Sequence, residues 1–246
     1  MPLLLLHGFL GLGSDWDAVR AHLPSAAQTL APDLPGHGTT PLTEPPSYAA
    51  WARWLESLLD ARGWPQVTLA GYSLGGRVAL AFTACCPQRV ARLVLVSAHP
   101  GLTDAAQREA RAQADAARAE AIRTRGLLPF LEAWYRLPLF GMEGRAALRR
   151  ELIARRSRQR GDAMAAVIEA MSPGVQPPLW DALAQLPVPV DYVVGARDAK
   201  YVALADRMAG FPHVHVHRVE GAAHMVHLDA PRRLASLLAA HLGGTA

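Results

Sequence analysis

The hexapeptide Gly71-Tyr72-Ser73-Leu74-Gly75-Gly76 limits the possible folds of this chain more than any other segment. A strand-like apolar run at 66–70 precedes it, and a helix-like run at 77–82 follows it. Strand, tight turn and helix form the setting in which a Gly-x-Ser-x-Gly turn displays a serine hydroxyl at the end of a sheet. The serine backbone is strained there, and a Cβ atom on a flanking glycine would collide with the strand or the helix. The hexapeptide therefore predicts an α/β fold with Ser73 as the candidate nucleophile.

Strand-like and helix-like segments alternate along the chain, without an internal repeat. Strands are predicted at 2–6, 66–70, 90–97, 188–195 and 214–219 with a weaker one at 28–31, and helices at 14–23, 47–62, 202–208, 231–242 and directly after Ser73. Continuous apolar strands between helices are typical of a mostly parallel sheet that is covered by helices on both faces. We therefore expect an α/β fold with such a sheet.

Residues 101–175 differ from the rest, because they are rich in Ala, Arg and Glu, have a helical period and contain no strand signal. They follow the strand at 90–97, which is the first strand after the candidate nucleophile. An insertion there would lie over the carboxyl ends of the strands, where sheets of this kind bind ligands. We expect residues 1–100 and 176–246 to form the α/β core and residues 101–175 to form a helical cap over Ser73.

The net charge of +4 arises from this middle segment, which holds thirteen arginines and nine acidic residues. Arginine presents a planar fork of donors that suits carboxylates and phosphates, so an anionic small substrate is expected. The arginines are mixed with acids, and no row of aromatic residues alternates with them. This pattern argues against a nucleic-acid partner.

The first residues and the two cysteines indicate the cellular compartment of the protein. The longest apolar run near the start is Leu3–Leu6, which is too short to cross a membrane and lacks the flanks of a secretory signal. Cys85 and Cys86 are adjacent, and vicinal cysteines rarely form an unstrained disulfide. They are typical of small core residues in a reducing compartment. We expect a cytoplasmic protein without membrane insertion.

A nucleophilic serine needs a base, and the base needs a carboxylate that orients it. Asp198 and His224 follow Ser73 in the order Ser, Asp, His, and each comes just after a predicted strand. Asp198 could instead cap the helix that starts near residue 199, and His224 could be an ordinary loop histidine. The shared order with the serine turn favours a Ser73–His224–Asp198 triad. The acids Asp191, Asp206 and Glu220 are poorer orienters, because they lie within a strand, within a helix or ahead of the loop.

His7-Gly8-Phe9 follows the first predicted strand, and a turn there can supply one amide of an oxyanion hole, from Phe9 or its neighbour. The amide of Leu74, at the start of the helix after Ser73, supplies the second.

Neither a metal nor a cofactor is expected. His213, His215 and His217 share one face of a strand and could bind zinc, but no cysteine or carboxylate joins them at ligand spacing, so a half-exposed edge strand is favoured. The glycines near the first strand do not form a G-x-G-x-x-G turn, and no P-loop occurs.

The serine turn, the His-Gly turn and the spacing of Asp198 and His224 resemble the α/β-hydrolase superfamily over nearly the whole chain. Further motifs are SAHPGL at 97–102, WYRLPLF at 134–140, RRELIARRS at 149–157, MSPGVQPPLW at 171–180 and GARDAKY at 195–201. Together with Tyr72 before the serine and Arg77 after it, this set resembles the 2-succinyl-6-hydroxy-2,4-cyclohexadiene-1-carboxylate synthases (the MenH family) of menaquinone biosynthesis.

The resemblance implies a cofactor-free lyase that eliminates pyruvate from a cyclohexene tricarboxylate, with Ser73 as the base rather than a nucleophile toward a carbonyl. The enolate oxygen would lie in the hole formed by the amides of Phe9 and Leu74. The resemblance assigns six residues to substrate binding: Arg77, Arg111 and Arg156 for the carboxylates, with Tyr72, Trp134 and Tyr135 as pocket walls. Arg108 and Arg155 are close rivals of Arg111 and Arg156.

Two other functions remain open at this stage. One is a serine hydrolase of small esters or of C–C bonds that uses the same triad. The other is a binding module on an inactive hydrolase scaffold, against which the intact triad argues. The expected assembly is a monomer or a small homo-oligomer.

Overall fold

The computed structural model describes residues 1–242, and its centre is a six-stranded sheet. The strands are β1 (Leu3–Leu6), β2 (Thr29–Leu30), β3 (Val67–Tyr72), β4 (Val90–Val96), β5 (Val190–Gly195) and β6 (Val214–Val219). Their order across the sheet is β2-β1-β3-β4-β5-β6, and all neighbouring pairs are parallel. The predicted α/β fold is confirmed, and the sheet is entirely parallel within the described residues.

Helices cover the sheet and fill the connections between its strands. They are α1 (Asp17–Arg20), α2 (Tyr48–Ala61), α3 (Leu74–Cys85), α4 (Ala105–Arg125), α5 (Leu127–Trp134), α6 (Ala146–Arg156), α7 (Gly161–Ala170), α8 (Trp180–Ala184), α9 (Ala199–Met208), α10 (Val226–Asp229) and α11 (Pro231–Ala239). Short 3₁₀ turns occur at Gly13–Trp16, Pro87–Arg89 and Pro138–Phe140. No helix within residues 1–242 has both the length and the apolarity needed to cross a bilayer.

The four leucines of β1 explain why its sequence is continuously apolar. Leu3 and Leu5 join the hydrophobic core on one face of the sheet, and Leu4 and Leu6 join the core on the other face. Successive side chains of a strand point to opposite faces, so a strand with a core on each side needs apolar residues at every position. β6 differs because only its terminal valines are buried, in agreement with its position at the sheet edge.

Every regular element between β4 and β5 up to residue 175 is a helix. In this inserted segment, α4 packs along α7 and α5, and α5 packs against α6. Ala119 and Ile122 form part of the buried face of α4. We use "the inserted segment" for residues 101–175 below.

Some boundaries differ from the sequence predictions. The helix predicted from residue 14 begins as a 3₁₀ turn, and the last helix ends at Ala239 rather than at Leu242. The end of the predicted core segment 176–246, residues 243–246, lies outside the described residues.

Candidate active site

Ser73 sits at the tight turn between β3 and α3, with φ 51° and ψ −109°. This left-handed conformation is strained for a residue with a side chain. Crowding around the turn explains its glycines. A Cβ atom on Gly71 would lie 2.4 Å from the carbonyl oxygen of Gly75, and one on Gly75 would lie 2.4 Å from the carbonyl oxygen of Leu6. The turn forms as predicted because only glycine fits at positions 71 and 75.

The structure brings the three predicted triad residues together. His224 Nε2 lies 3.3 Å from Ser73 Oγ, and His224 Nδ1 lies 2.7 Å from Asp198 Oδ2. His224 and Asp198 are almost fully buried. A buried carboxylate at hydrogen-bond distance fixes the ring orientation and leaves Nε2 directed at the serine.

Asp198 also accepts a hydrogen bond from the backbone N–H of Tyr201 at 3.4 Å, so it caps α9 while it contacts His224. The same side chain therefore lies at hydrogen-bond distance from His224 and caps the helix, which are the two arrangements considered from the sequence. The alternative acids lie elsewhere. Asp191 pairs with Arg92 and His217, Asp206 pairs with Arg218, and Glu220 is exposed.

The loop after β1 runs beside Ser73, and hydrogen bonds to two buried histidines fix its position. His7 Nε2 accepts a hydrogen bond from Leu34 N–H at 2.9 Å, and His37 Nε2 accepts one from Leu10 N–H at 3.3 Å. Burial is the main cause that lowers the pKa of both histidines, which therefore stay neutral and can accept. Phe9, on this loop, and Leu74, at the start of α3, line the same cavity as Ser73. These are the positions at which the sequence predicted the oxyanion-hole amides.

One cavity joins the serine to the predicted binding residues. All of them line it, namely Tyr72, Arg77, Arg111, Trp134, Tyr135 and Arg156, together with Phe9, Ser73, Leu74 and His224. The rivals Arg108 and Arg155 do not line the cavity. Burial raises the pKa of Tyr72 and of Tyr135, so both are neutral phenols in the cavity wall.

Arg77 is a buried cation whose partners are all neutral. Its Nη1 donates to the Tyr48 hydroxyl at 2.5 Å, to the carbonyl oxygen of Met171 at 2.7 Å and to Gln176 Oε1 at 3.3 Å. Within residues 1–242 it makes no ion pair. A buried cation without a carboxylate is costly, which makes this position attractive to a bound anion.

The other two predicted arginines already have carboxylate partners, which the sequence did not reveal. Arg111 Nε donates to Asp115 Oδ2 at 2.7 Å, and Arg156 Nη2 donates to Asp15 Oδ2 at 2.7 Å. Asp115 also receives Arg118 at 2.5 Å. Each arginine can therefore offer a ligand only the donors that its carboxylate leaves free.

Lys200 and Tyr201 line the cavity and were not assigned a role from the sequence. The ring of Tyr201 lies 4.6 Å from that of His224. Desolvation, followed by the nearby charge of Arg111, lowers the pKa of Lys200. The signal available in the sequence was that Lys200 is the only lysine and lies two residues after Asp198.

Residues 3–237 match the Alpha/beta hydrolase family, to which the chain therefore belongs. It is 36% identical over 237 residues to the 2-succinyl-6-hydroxy-2,4-cyclohexadiene-1-carboxylate synthase of Klebsiella pneumoniae subsp. pneumoniae, with 96% of this chain and 92% of that protein covered. It is 38% identical over 238 residues to the synthase of the same name from Serratia proteamaculans, with 96% and 91% covered. Within the α/β hydrolases, the chain is a member of this synthase family.

Comparison with solved structures agrees. MenH from S. aureus superposes with a TM-score of 0.90 at 27% identity, and the superposition covers 96% of this chain and 91% of the MenH chain. An esterase from Thermogutta terrifontis superposes with a TM-score of 0.82 at 24% identity, which reflects the shared fold alone.

Proposed function

We propose that this cavity carries out the synthase reaction of its family through Ser73, His224 and Asp198. The substrate is 2-succinyl-5-enolpyruvyl-6-hydroxy-3-cyclohexene-1-carboxylate, and the reaction is a 2,5-elimination of pyruvate without a cofactor. The chain is thus a carbon–oxygen lyase of menaquinone biosynthesis on a hydrolase fold. One observation carries the proposal. Ser73 and His224, which contact each other and Asp198, line the same cavity as four cationic side chains, Arg77, Arg111, Arg156 and Lys200.

Proton abstraction is the work of the triad. Ser73 Oγ takes the ring proton α to the succinyl carbonyl, while the proton of its own hydroxyl passes to His224 Nε2. Asp198 keeps the ring of His224 oriented and stabilises the imidazolium that forms. Serine is a suitable base only with such a partner, because the ordinary pKa of its hydroxyl is far above neutral.

The electrons released by this step move first onto the succinyl carbonyl oxygen. The amides of Phe9 and Leu74 stabilise the resulting enolate, because donors fixed in place before the reaction cost no reorganisation. The electron pair then passes through the ring, the C5–O bond breaks, and pyruvate leaves as its enolate. The proton held by the His224 imidazolium goes to this enolate, which gives pyruvate and restores the neutral triad. Water takes no part in these reaction steps.

Binding of the substrate requires cations for its three carboxylates. Four cationic side chains line the cavity against two carboxylates outside the triad, Asp15 and Asp115. The excess of positive charge favours a polyanion over a neutral ester. Arg77 is the main anchor in this proposal, since its guanidinium is buried and paired with neutral groups only. Tyr72, Trp134 and Tyr135 form the walls around the ring.

The inserted segment would act as a cap over the core, formed by residues 1–100 and 176–246. It supplies Arg111, Trp134, Tyr135 and Arg156 to the cavity wall. The partner is thus a small anionic molecule rather than a nucleic acid. The proposal includes a cytoplasmic location, since Cys85 and Cys86 are adjacent and vicinal cysteines rarely form an unstrained disulfide. We propose a monomer or a small homo-oligomer.

The test is to mix the purified protein with the enolpyruvyl cyclohexene substrate and to follow pyruvate through a lactate dehydrogenase couple. Ser73→Ala is run in parallel and should lose at least about 10³-fold in kcat, as expected when a triad member is removed. Ser236→Ala, which changes an exposed serine on α11, is the matched control and should keep the activity.

Two results would contradict the proposal. Pyruvate release at the spontaneous rate, together with rapid turnover of a p-nitrophenyl ester, would make the chain a serine hydrolase. Equal pyruvate release by the wild-type protein and Ser73→Ala would remove Ser73 from the base role, even if the lyase activity is real.

A further inference from the structure

Asp15 is a buried carboxylate at the edge of the cavity to which the sequence assigned no role. It lies in the 3₁₀ turn Gly13–Trp16 and is 3% exposed. Its Oδ2 receives Arg156 Nη2 at 2.7 Å, and its Oδ1 receives Arg155 Nη2 at 2.9 Å. The two arginines are the last residues of α6, about 140 residues further along the chain. Asp15 therefore ties the inserted segment to the core beside the cavity.

The same carboxylate is also attached to the loop that carries Phe9. Leu12 N–H donates to Asp15 Oδ2 at 3.2 Å. Gly11 packs so closely that a Cβ atom there would lie 2.8 Å from Asp15 Oδ2. A second tie comes from Gln159, three residues after Arg156, whose Nε2 donates to the carbonyl oxygens of Leu10 and Gly11 at 3.2 and 3.0 Å. The loop and the end of α6 are thus joined at two points.

Apart from Asp15, the group that faces the Arg156 guanidinium is the neutral phenol of Tyr135. Arg156 is 3% exposed, its Nε finds no hydrogen-bond partner within the described residues, and its guanidinium lies 5.8 Å from the ring centre of Tyr135. Burial alone would raise the pKa of Asp15, but Arg156, with smaller effects from His227 and His7, lowers it. The carboxylate is therefore ionised and faces the guanidinium with full charge.

We propose that Asp15 is a positioning residue for the synthase reaction. Its carboxylate orients the Arg156 guanidinium in the cavity and, through Leu12 N–H, fixes the loop of Phe9. The carboxylate-binding cation and the oxyanion-hole amide are thereby set as one unit. This inference rests on the proposed function, in which Arg156 binds a substrate carboxylate and the Phe9 amide stabilises the enolate.

Asp15→Asn tests the role of the charge with little change of shape. The asparagine NH₂ must take the place of either Oδ2, where it faces both Leu12 N–H and Arg156 Nη2, or Oδ1, where it faces Arg155 Nη2 and, at 3.5 Å, Arg156 Nη1. In either orientation Arg156 loses the negative charge that it faces. We expect KM for the substrate to rise about tenfold and kcat to fall a few-fold, because the Arg156 guanidinium is no longer held by a charged partner and the contact to the loop is weakened. Asp206→Asn removes a carboxylate from an exposed pair with Arg218 and serves as the control of equal charge change.

A double-mutant cycle shows whether Asp15 acts through Arg156. In the Arg156→Gln background, Asp15→Asn should change KM by less than about twofold, because the group that it orients is already gone. The remaining loss of kcat then reports on the loop alone. Additive effects on KM in the cycle would overturn the proposal, as would a fall in KM for Asp15→Asn.

An NMR measurement separates this inference from the proposed function. A guanidinium held by Asp15 should show slow rotation and separate Nη signals, which are assigned with Arg156→Gln and should merge in Asp15→Asn. If the wild-type protein releases no pyruvate, these signals still decide the positioning role. If Asp15→Asn does not fold, Asp15→Glu replaces it and should lose about threefold in kcat/KM with altered signals. Unchanged arginine signals in the variant that folds would overturn the proposal.

Discussion

The guanidinium of Arg77 is held by the hydroxyl of Tyr48, with 2.5 Å between Arg77 Nη1 and the phenol oxygen. Gln176 Oε1 and the carbonyl oxygen of Met171 complete its surroundings. Two distant parts of the chain, Tyr48 on α2 and the stretch 171–176, therefore hold a positive charge in the cavity without neutralising it. Such an arrangement costs folding stability and leaves the guanidinium without a carboxylate partner, a place that a bound anion can take.

Arg77→Ala should raise KM and lower kcat together, if the arginine grips the substrate throughout the reaction. A hydrogen bond to a charged group is worth about 1.5–3 kcal/mol, so a loss of about 10- to 100-fold in kcat/KM is expected. Steady-state kinetics of pyruvate release measures it, and Arg108→Ala, on α4 but outside the cavity, is the control. If the two variants behaved alike, Arg77 would contribute only to the general positive charge.

Lys200→Gln should raise KM about two- to fivefold and leave kcat nearly unchanged. Lys200 lines the cavity but remains accessible to water, and solvent-accessible charge pairs contribute little. A contact that binds the substrate and the transition state equally well alters KM alone. Arg197→Gln removes the same charge three residues away, outside the cavity, and should have no effect on KM. Equal effects of the two variants on KM would point to long-range steering instead.

Gly75→Ala should destabilise the fold by about 3 kcal/mol, which is the upper part of the range for overpacked sites. A Cβ atom at Gly75 would lie 2.4 Å from the carbonyl oxygen of Leu6 and 2.5 Å from that of His7, and neither backbone group can move without disturbing β1. The control is Gly161→Ala at the start of α7, where the nearest atom is Cγ2 of Ile122 at 3.7 Å. Urea unfolding of both variants measures the difference. Equal stability of the two would mean that the turn has room to relax.

The sequence could predict the parts of the site that follow from local sterics or from the ends of parallel strands. The turn around Ser73 tolerates only glycine at its crowded positions, and this requirement is visible in the sequence itself. Asp198 and His224 were predicted because both follow strands of a parallel sheet, and the carboxyl ends of such strands meet at one edge.

Long-range pairing could not be predicted in the same way. Arg155 and Arg156 are neighbours at the end of α6, and only the helix phase, which composition does not reveal, directs Arg156 into the cavity. Both arginines pair with Asp15, which lies about 140 residues earlier in the chain. Lys200 was missed for a related reason, because the inserted segment and α9 meet at the cavity only in the folded chain.

Buried neutral histidines should make the protein lose stability as the pH falls below about 6.5. Burial lowers the pKa of His227 to about 3 and that of His99 to about 4, and it lowers the pKa of His7 and His37 as well. Between these values and 6.5 the unfolded chain binds protons that the folded chain does not, so the free energy of unfolding decreases with falling pH.

His99→Asn provides the measurement that isolates one of these groups. The asparagine oxygen can replace His99 Nδ1 as the acceptor for Gly101 N–H, which lies at 2.9 Å. The variant should lack one titrating group, so the slope of unfolding free energy against pH should fall by about 1.4 kcal/mol per pH unit near pH 5. His22→Asn makes the same substitution at an exposed histidine and is the control variant. Urea unfolding at pH 8, 6 and 5 compares the three proteins. An unchanged slope in His99→Asn would mean that His99 takes up its proton in the folded protein as readily as in the unfolded chain.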